Sequence, residues 1–394
     1  MQRATLAVLL IAIVLSLLLT YPLPAHLATA VEDRQDALLN VWITAWDGHQ
    51  LLADPLHLFD ANIFYPYPRT LAYSELLLGN ALLALPLTAA TGNPVLGYNA
   101  VLLLSFALSA LGAYLLVLKL TRSPAAGLVA GLAYAFSAYR LTNLAQAQLL
   151  TAQWMPFALL ALYGLLRRPG PRSVATFVLF FWLQAVSSFY YAILVALAVA
   201  GLVAYEGFAA LARRGSEPAR GRRSPAPAAL LLAVGCCLLS ILPFALPYFR
   251  VQRDLGFERS LADSEPFSAS LLQYAMVPPG SLLHSRWLPN DATPIAGGYP
   301  VDALFPGFAV LALAAWGLLS GGGNRRRWFF FLLLLAALIL SFGPRLYLAP
   351  GEPAGLEVAL PYAWLYSLVP GFKALRAPVR FDVLVSLSLA VLAG

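Results

Sequence analysis

The sequence predicts an all-α fold: a polytopic transmembrane bundle of about ten helices, with a long first extracytoplasmic loop that carries interfacial helices. Three observations predict it. Of the 394 residues, 60% are hydrophobic and only 11% charged, where a soluble domain carries about 25% charged residues. Apolar runs rich in Leu and Ala recur along the whole chain, many near the roughly 20 residues that a helix needs to cross the hydrocarbon core. They show no period-2 alternation, so they read as helices and not as barrel strands. The basic residues, finally, are distributed as in an inserted protein.

More than half of the 25 basic residues fall in short loops at Arg3, Lys119/Arg122, Arg167/Arg168/Arg172, Arg213 to Arg223 and Arg325 to Arg327. Such loops lie on the cytoplasmic side. Of the 18 acidic residues only Glu206 and Glu217 share that side; Asp382 opens the last segment, and the rest lie in the opposite loops. The net charge of +7 therefore records topology and contact with anionic lipid, and no nucleic-acid partner is expected. The adjacent cysteines, Cys236 and Cys237, lie within an apolar run and point in different directions from a helix, which suits core packing and not a disulfide or a metal site.

With the N-terminus cytoplasmic, the segments fall at about 4–20, 98–118, 123–139, 150–166, 173–189, 190–212, 226–247, 301–319, 328–346 and 381–394. Ala28-Thr29-Ala30 after the first segment resembles a cleavage site, but charge and parity work with the first helix retained. The apolar stretch 75–90 is interrupted by Glu75, Asn80 and Pro86; counting it as a crossing would put the arginine clusters outside, so it reads as interfacial or re-entrant. One membrane domain, 1–394, is expected, continuing beyond Gly394 because the last segment is short for a span. Two large outer loops, 21–97 and 248–300, are where function is expected.

The first loop contains Asp33, Asp36, Asn40, Trp42, Trp46, Asp47, His49 and Gln50, with no proline over 36–54, which predicts a helix with Asp36 at its N-cap or first turn. At about 100° per residue, Asp36, Asn40 and Asp47 fall within about 40° of each other, while Trp42, Trp46 and His49 form a separate stripe. The expected arrangement is a helix on the membrane surface, tryptophans toward headgroups and the carboxylate-amide stripe toward a polar partner. Asp47 reads as a solvated residue of that face. Asp54, His57 and Asp60 are three apart, a spacing that matches no metal motif of note and suits turn structure. Ser187-Ser188-Phe189-Tyr190-Tyr191 forms a tight outer turn, its tyrosines either interfacial anchors or the lining of a sugar pocket.

The short first helix, the long outer loop opened by aspartates and the many-helix body resemble the GT-C superfamily of membrane glycosyltransferases. The match rests on Asp36-x3-Asn40-x-Trp42-x3-Trp46, on Phe59-Asp60-Ala61-Asn62-Ile63-Phe64-Tyr65-Pro66, and on Pro370-Gly371-Phe372-x-x-Leu375-Arg376-x-Pro378-x-Arg380-Phe381. It is similar to an uncharacterised bacterial branch of the superfamily and covers the whole chain. The resemblance implies a cell-envelope enzyme of the plasma membrane that takes a sugar from a polyprenyl-phosphate donor in the outer leaflet to a glycan, lipid or protein acceptor. It places the catalytic carboxylate in the first outer loop, which here is Asp36, with Asp33 as substitute. No cofactor follows from the residues, and a divalent metal is left open.

A positioned carboxylate can accept the acceptor hydroxyl's proton in an inverting transfer, for about 10²–10⁴-fold in rate. The leaving phosphate calls for cations. Lys373, Arg376 and Arg380 lie on the outer side against the general trend, and arginine's fork suits phosphate; snorkelling at the interface is the alternative role. Arg250, Arg253 and Arg259 have Asp254, Glu258 and Asp263 close by in sequence. Asp302, at the mouth of a helix, is a second candidate carboxylate; Asn40 and Tyr190 are candidate substrate contacts. The alternative function is a transporter or flippase for a lipid-linked or small polar substrate. Transporters place ionisable residues near the midplane and repeat their halves, and here neither feature stands out.

Overall fold

In the computed structural model the described residues are 2–214, 226–256, 259–278, 281, 286–289, 301–320, 325–355, 358–369 and 371–394. Glu217, Glu258, His284, Pro370 and the arginines between 215 and 225 lie outside them. The described chain is mostly helical. Helix α1 spans Gln2–Leu19, α2 Asp36–Ala53, α3 Leu78–Thr91, α4 Pro94–Thr121 and α5 Pro124–Ala135. Two short turns follow, α6 (Ala138–Thr142) and α7 (Ala147–Leu150), then α8 (Trp154–Arg167), α9 (Pro171–Ser187), α10 (Phe189–Arg214) and α11 (Ala226–Leu255). The remainder comprises α12 (Phe308–Ser320), α13 (Arg326–Ser341), a small antiparallel pair β1 (Tyr347–Ala349) and β2 (Glu352–Pro353), α14 (Pro361–Leu368) and α15 (Asp382–Ala393).

Four stretches are long and apolar enough to cross a membrane: Pro94–Thr121, Ala147–Arg167, Phe189–Ala212 and Pro227–Leu255; α1, α3 and α12 are shorter apolar helices. Exposed leucines clothe α1 and α11 (Leu6, Leu10, Leu18, Leu231, Leu238 and Leu239). Contiguous apolar surface of this kind would be insoluble in water and fits a bilayer. The helix expected over 123–139 ends early, at Ala135; its 12 residues rise about 18 Å, less than the roughly 30 Å of hydrocarbon. The 14 residues of α3 span about 21 Å, with Pro86 inside.

The centre of the bundle is α4, which packs on α1, α3, α5 and α8. Local chemistry sets its ends. The Asn93 side chain accepts from Leu96 N at 3.1 Å, Pro94 takes the first turn, and Arg122 closes the helix in the left-handed region at φ 63°. Ser123 at once caps α5, accepting from Ala126 N at 3.2 Å, with Pro124 in the first turn. The two helices then press together through glycines: a Cβ on Gly131 would sit 2.7 Å from the Ala110 carbonyl. Since that contact is with backbone, Gly131→Ala is expected to cost about 1–3 kcal/mol, read as a lower midpoint in thermal unfolding of the detergent-purified chain.

Between α5 and α8 the backbone is irregular, yet it runs through the buried interior. Four successive carbonyls there each receive a buried side-chain donor from a different helix. Tyr191 Oη donates to Leu149 O at 2.9 Å, Arg140 Nη2 to Leu150 O at 2.7 Å, Gln184 Nε2 to Thr151 O at 2.9 Å and Tyr134 Oη to Ala152 O at 2.9 Å. All four donors are fully buried. An unsatisfied carbonyl away from water costs several kcal/mol, so these donors are what permits a non-helical stretch at this depth.

Candidate functional site

The carboxylates gather at the end of the bundle that carries α2 and the start of α15. Its centre is Arg380, in the short turn Pro378–Phe381 that leads into α15. The guanidinium lies 4.5 Å from the centre of the Tyr190 ring, with Nη1 3.8 Å from Glu75 Oε1. Both members of the ion pair are half-buried, at 18% and 24% side-chain exposure. The Tyr190 ring is fixed in turn by a two-way bond to one residue: its hydroxyl donates to Ala377 O at 2.5 Å and accepts from Ala377 N at 3.1 Å. Tyr190 is buried, which corrects the interfacial-anchor reading; it holds the arginine.

Glu75 precedes α3 and accepts from Ser188 Oγ at 3.1 Å. Ser188 is the single extended residue between α9 and α10, so the break in that helical hairpin frees a hydroxyl for the carboxylate. Burial lifts the Glu75 carboxyl above its ordinary range, and Arg380 and Ser188 pull it back only in part. The end of α11 fixes the approach to Glu75. Tyr248 Oη donates to Ser74 O at 3.0 Å and accepts from Leu76 N at 2.8 Å, and Arg69 pairs with Asp254 at 2.7 Å.

The irregular stretch after α6 supplies amides to the other acids. Asn143 Nδ2 donates to Asp302 Oδ1 at 2.6 Å, Gln146 Nε2 to Asp36 Oδ2 at 2.6 Å, and Gln148 Oε1 accepts from Asn40 Nδ2 at 3.0 Å. Tyr98 Oη donates to Ala145 O at 3.2 Å in the same stretch. Asp36 and Asp302, far apart in sequence, are thus held by side chains three residues apart. Burial pushes the Asp302 carboxyl up to about 6, with Asn143 and Arg380 opposing the rise. A carboxyl raised in the folded state favours folding below its unfolded value near 3.9 and loses that contribution as pH climbs toward 6. Asp302→Asn should flatten the pH dependence of stability between about 4 and 6; a melting profile with wild-type pH dependence would contradict this environment.

Several sequence expectations change on contact with the structure. Helix α2 forms where the pattern predicts it, with Asp36 in its first turn; Asp33, before the helix, uses Oδ1 to accept from Gln35 N at 2.8 Å and Ala37 N at 3.0 Å. Asp33, the substitute base of the sequence reading, thus has one carboxylate oxygen engaged by backbone amides. Asp36 is exposed, with Gln146 as its side-chain bond. Asp47 is not on a solvated face; it is fully buried, accepting from Leu77 N at 3.2 Å, and burial holds its carboxyl well above the usual range. Past Asp36 the polar stripe of α2 is interior: Asn40 meets Gln148 and Asp47 meets Leu77 N. Trp46 donates to Leu58 O at 2.8 Å and Trp42 lies 6.4 Å from it, both half-buried against the 58–78 segment. They are packing groups.

Of the basic trio, Arg380 pairs with Glu75. Arg376 is exposed, its guanidinium 4.4 Å from the Phe267 ring centre; Lys373 is exposed, 6.0 Å from that of Tyr366. His57 pairs with Asp54 at 2.7 Å, while Asp60 accepts from Arg69 N at 2.8 Å, so these three serve the turn. Among the described residues no group of three or more His, Cys, Asp or Glu side chains forms a metal site.

Sequence reasoning missed Glu75, Asn143, Gln146, Ser188 and Arg140. The acid inside an apolar stretch was the visible sign for Glu75, as was a cation directly after an apolar run for Arg140. The amides carry no sequence signal, since their role depends on which loop meets which helix. Against this geometry, comparison with protein-family models, with curated proteins and with solved structures finds no match.

Proposed function

We propose that the chain is an inverting membrane glycosyltransferase that moves a sugar from a polyprenyl-phosphate donor to an acceptor outside the cytoplasm. The observation that carries the reading is the junction of acids and one arginine drawn from distant segments: Glu75, Asp302 and Arg380, with Asp36 linked through the Asn143–Gln146 stretch. In this reading the basic loops face the cytoplasm, about ten segments cross the membrane, and the junction opens on the other side.

Each group has a task that its surroundings support. Asp36, exposed and steered by Gln146, accepts the acceptor hydroxyl's proton as oxygen attacks the anomeric carbon. Arg380, already stacked and charge-paired, stabilises the departing phosphate, with Arg376 entering from the adjoining turn. Asp302 and Asn40 contact the sugar or the acceptor. The raised Asp302 carboxyl gives a distinguishing pH signature. Transfer should fall as pH drops below about 6 in the wild type, and Asp302→Asn should shift that limb. An unaltered limb in the variant would remove Asp302 from the site. The assay is transfer of label from a polyprenyl-phosphate sugar by the purified chain in bilayers.

A second reading, transport of a polar or lipid-linked molecule, is favoured by one observation: the buried Arg140 beside an irregular backbone stretch, a combination that lines substrate paths in carriers. Substrate movement across vesicles without sugar transfer would select it.

A further inference from the structure

Arg140 poses a problem that its hydrogen bonds do not solve. Its guanidinium stays protonated in any protein environment, yet the residue is 0% exposed and heads the largest fully buried side chains. No carboxylate pairs with it among the described residues. Nη2 serves Ser105 Oγ at 3.2 Å and Leu150 O at 2.7 Å, whereas Nε and Nη1 have no partner among the described residues. The Phe106 ring centre lies 4.7 Å from the guanidinium carbon and that of Tyr134 5.9 Å. Ring faces ease a cation's desolvation but accept no further N–H bonds in its plane.

Holding Leu150 O does not require a charge. The neighbouring carbonyls of Leu149, Thr151 and Ala152 are held by two phenols and an amide. The positive charge therefore answers to something else. The segments that carry these contacts hold two further hydroxyls: Ser109, one helical turn along α4 from Ser105, and Ser137, three residues before the arginine. Both hydroxyls are buried and without partner among the described residues. Guanidinium and hydroxyl donors, with no acid facing them, make a set that suits an anion and repels a metal cation. A single uncompensated charge calls for a monovalent ion. The closed surroundings and flanking rings favour a small one over a phosphate ester.

We propose that Arg140 binds a halide, chloride in the cell, inside the bundle, with Nε and Nη1 as charged donors and the Ser109 and Ser137 hydroxyls assisting. The proposal does not depend on the glycosyltransferase reading. The ion neutralises the charge that ties α4, α6 and the end of α7 together, so its loss loosens the 143–148 stretch.

The test is thermal unfolding of the purified full chain in lipid nanodiscs, titrating chloride against gluconate at constant ionic strength, together with a structure in bromide. A saturable rise in the midpoint with chloride is expected, as is a bromide peak beside Arg140 Nε and Nη1. Arg140→Gln, which keeps a donor for Leu150, should abolish the response. Should that variant fail to fold, Ser109→Ala and Ser137→Ala, which leave the arginine in place, should right-shift the chloride titration several-fold. Equal midpoints of the wild type in chloride and gluconate would overturn the proposal. So would water where bromide is expected, or an Arg140→Gln chain that still responds to chloride.

Discussion

Asp36→Asn is expected to lower sugar transfer at least about 10²-fold while leaving insertion, yield and melting temperature unchanged. Asparagine retains an oxygen for the Gln146 amide, so the 2.6 Å contact survives and only the proton acceptor is lost. The side chain is exposed, so little folding energy rests on it. Asp33→Asn supplies the contrast. Asp33 accepts from two backbone amides at the entry to α2, and weakening those bonds costs about 1 kcal/mol in stability with turnover per folded molecule retained. Transfer assays and melts on both variants separate the roles. An active Asp36→Asn protein, or a dead Asp33→Asn protein of normal stability, would exchange the two aspartates or remove the assignment.

Arg380→Met is expected to destabilise the chain by about 3 kcal/mol, because it leaves the half-buried Glu75 carboxylate without its cation. Replacing both partners, as Glu75→Gln with Arg380→Met, should restore most of that loss. The sign of the pH dependence follows from the raised Glu75 carboxyl. Once Arg380 is gone, protonation neutralises the stranded acid, so the deficit of the single variant shrinks as pH falls through the Glu75 range and grows as pH rises. Chemical or thermal unfolding of the four proteins of this cycle, at two pH values, reads it directly. A double variant no better than Arg380→Met would mean that the loss comes from the 4.5 Å stacking on Tyr190 and not from charge. In the proposed reaction, transfer stays abolished in the double variant even where stability returns.

Much of the helical outline was legible because it depends on neighbours in sequence. The proline-free, periodic stretch after Gln35 folds as α2, Asp36–Ala53. Asn93-Pro94 and Ser123-Pro124 start α4 and α5 as capping chemistry demands. Burial of the α2 stripe was not legible. Asn40 and Asp47 are interior because Gln148 and Leu77 arrive against them, and periodicity assigns a face without naming its neighbour. Asp36 falls in the first turn, one of the two places the pattern allowed, while the Ala37 amide is taken by Asp33 from before the helix. The end of α5 at Ala135 was equally hidden. The apolar run continues, but the four carbonyls at Leu149–Ala152 find donors on other helices, and only that makes an early stop affordable.

The sequence by itself determined that this is a largely helical chain with membrane-length apolar segments and with arginines clustered in a few short loops between them. Those properties sum over residues and local spacing. Tertiary structure alone decided which charges meet. Glu75 and Arg380 pair where the start of α3 meets α10 and the turn before α15, and Asp302 lies within reach of the same charge. Arg140 is sealed away from any carboxylate among the described residues. A charge's energy depends on the distance and dielectric between it and its partners, and those are fixed only when distant segments meet.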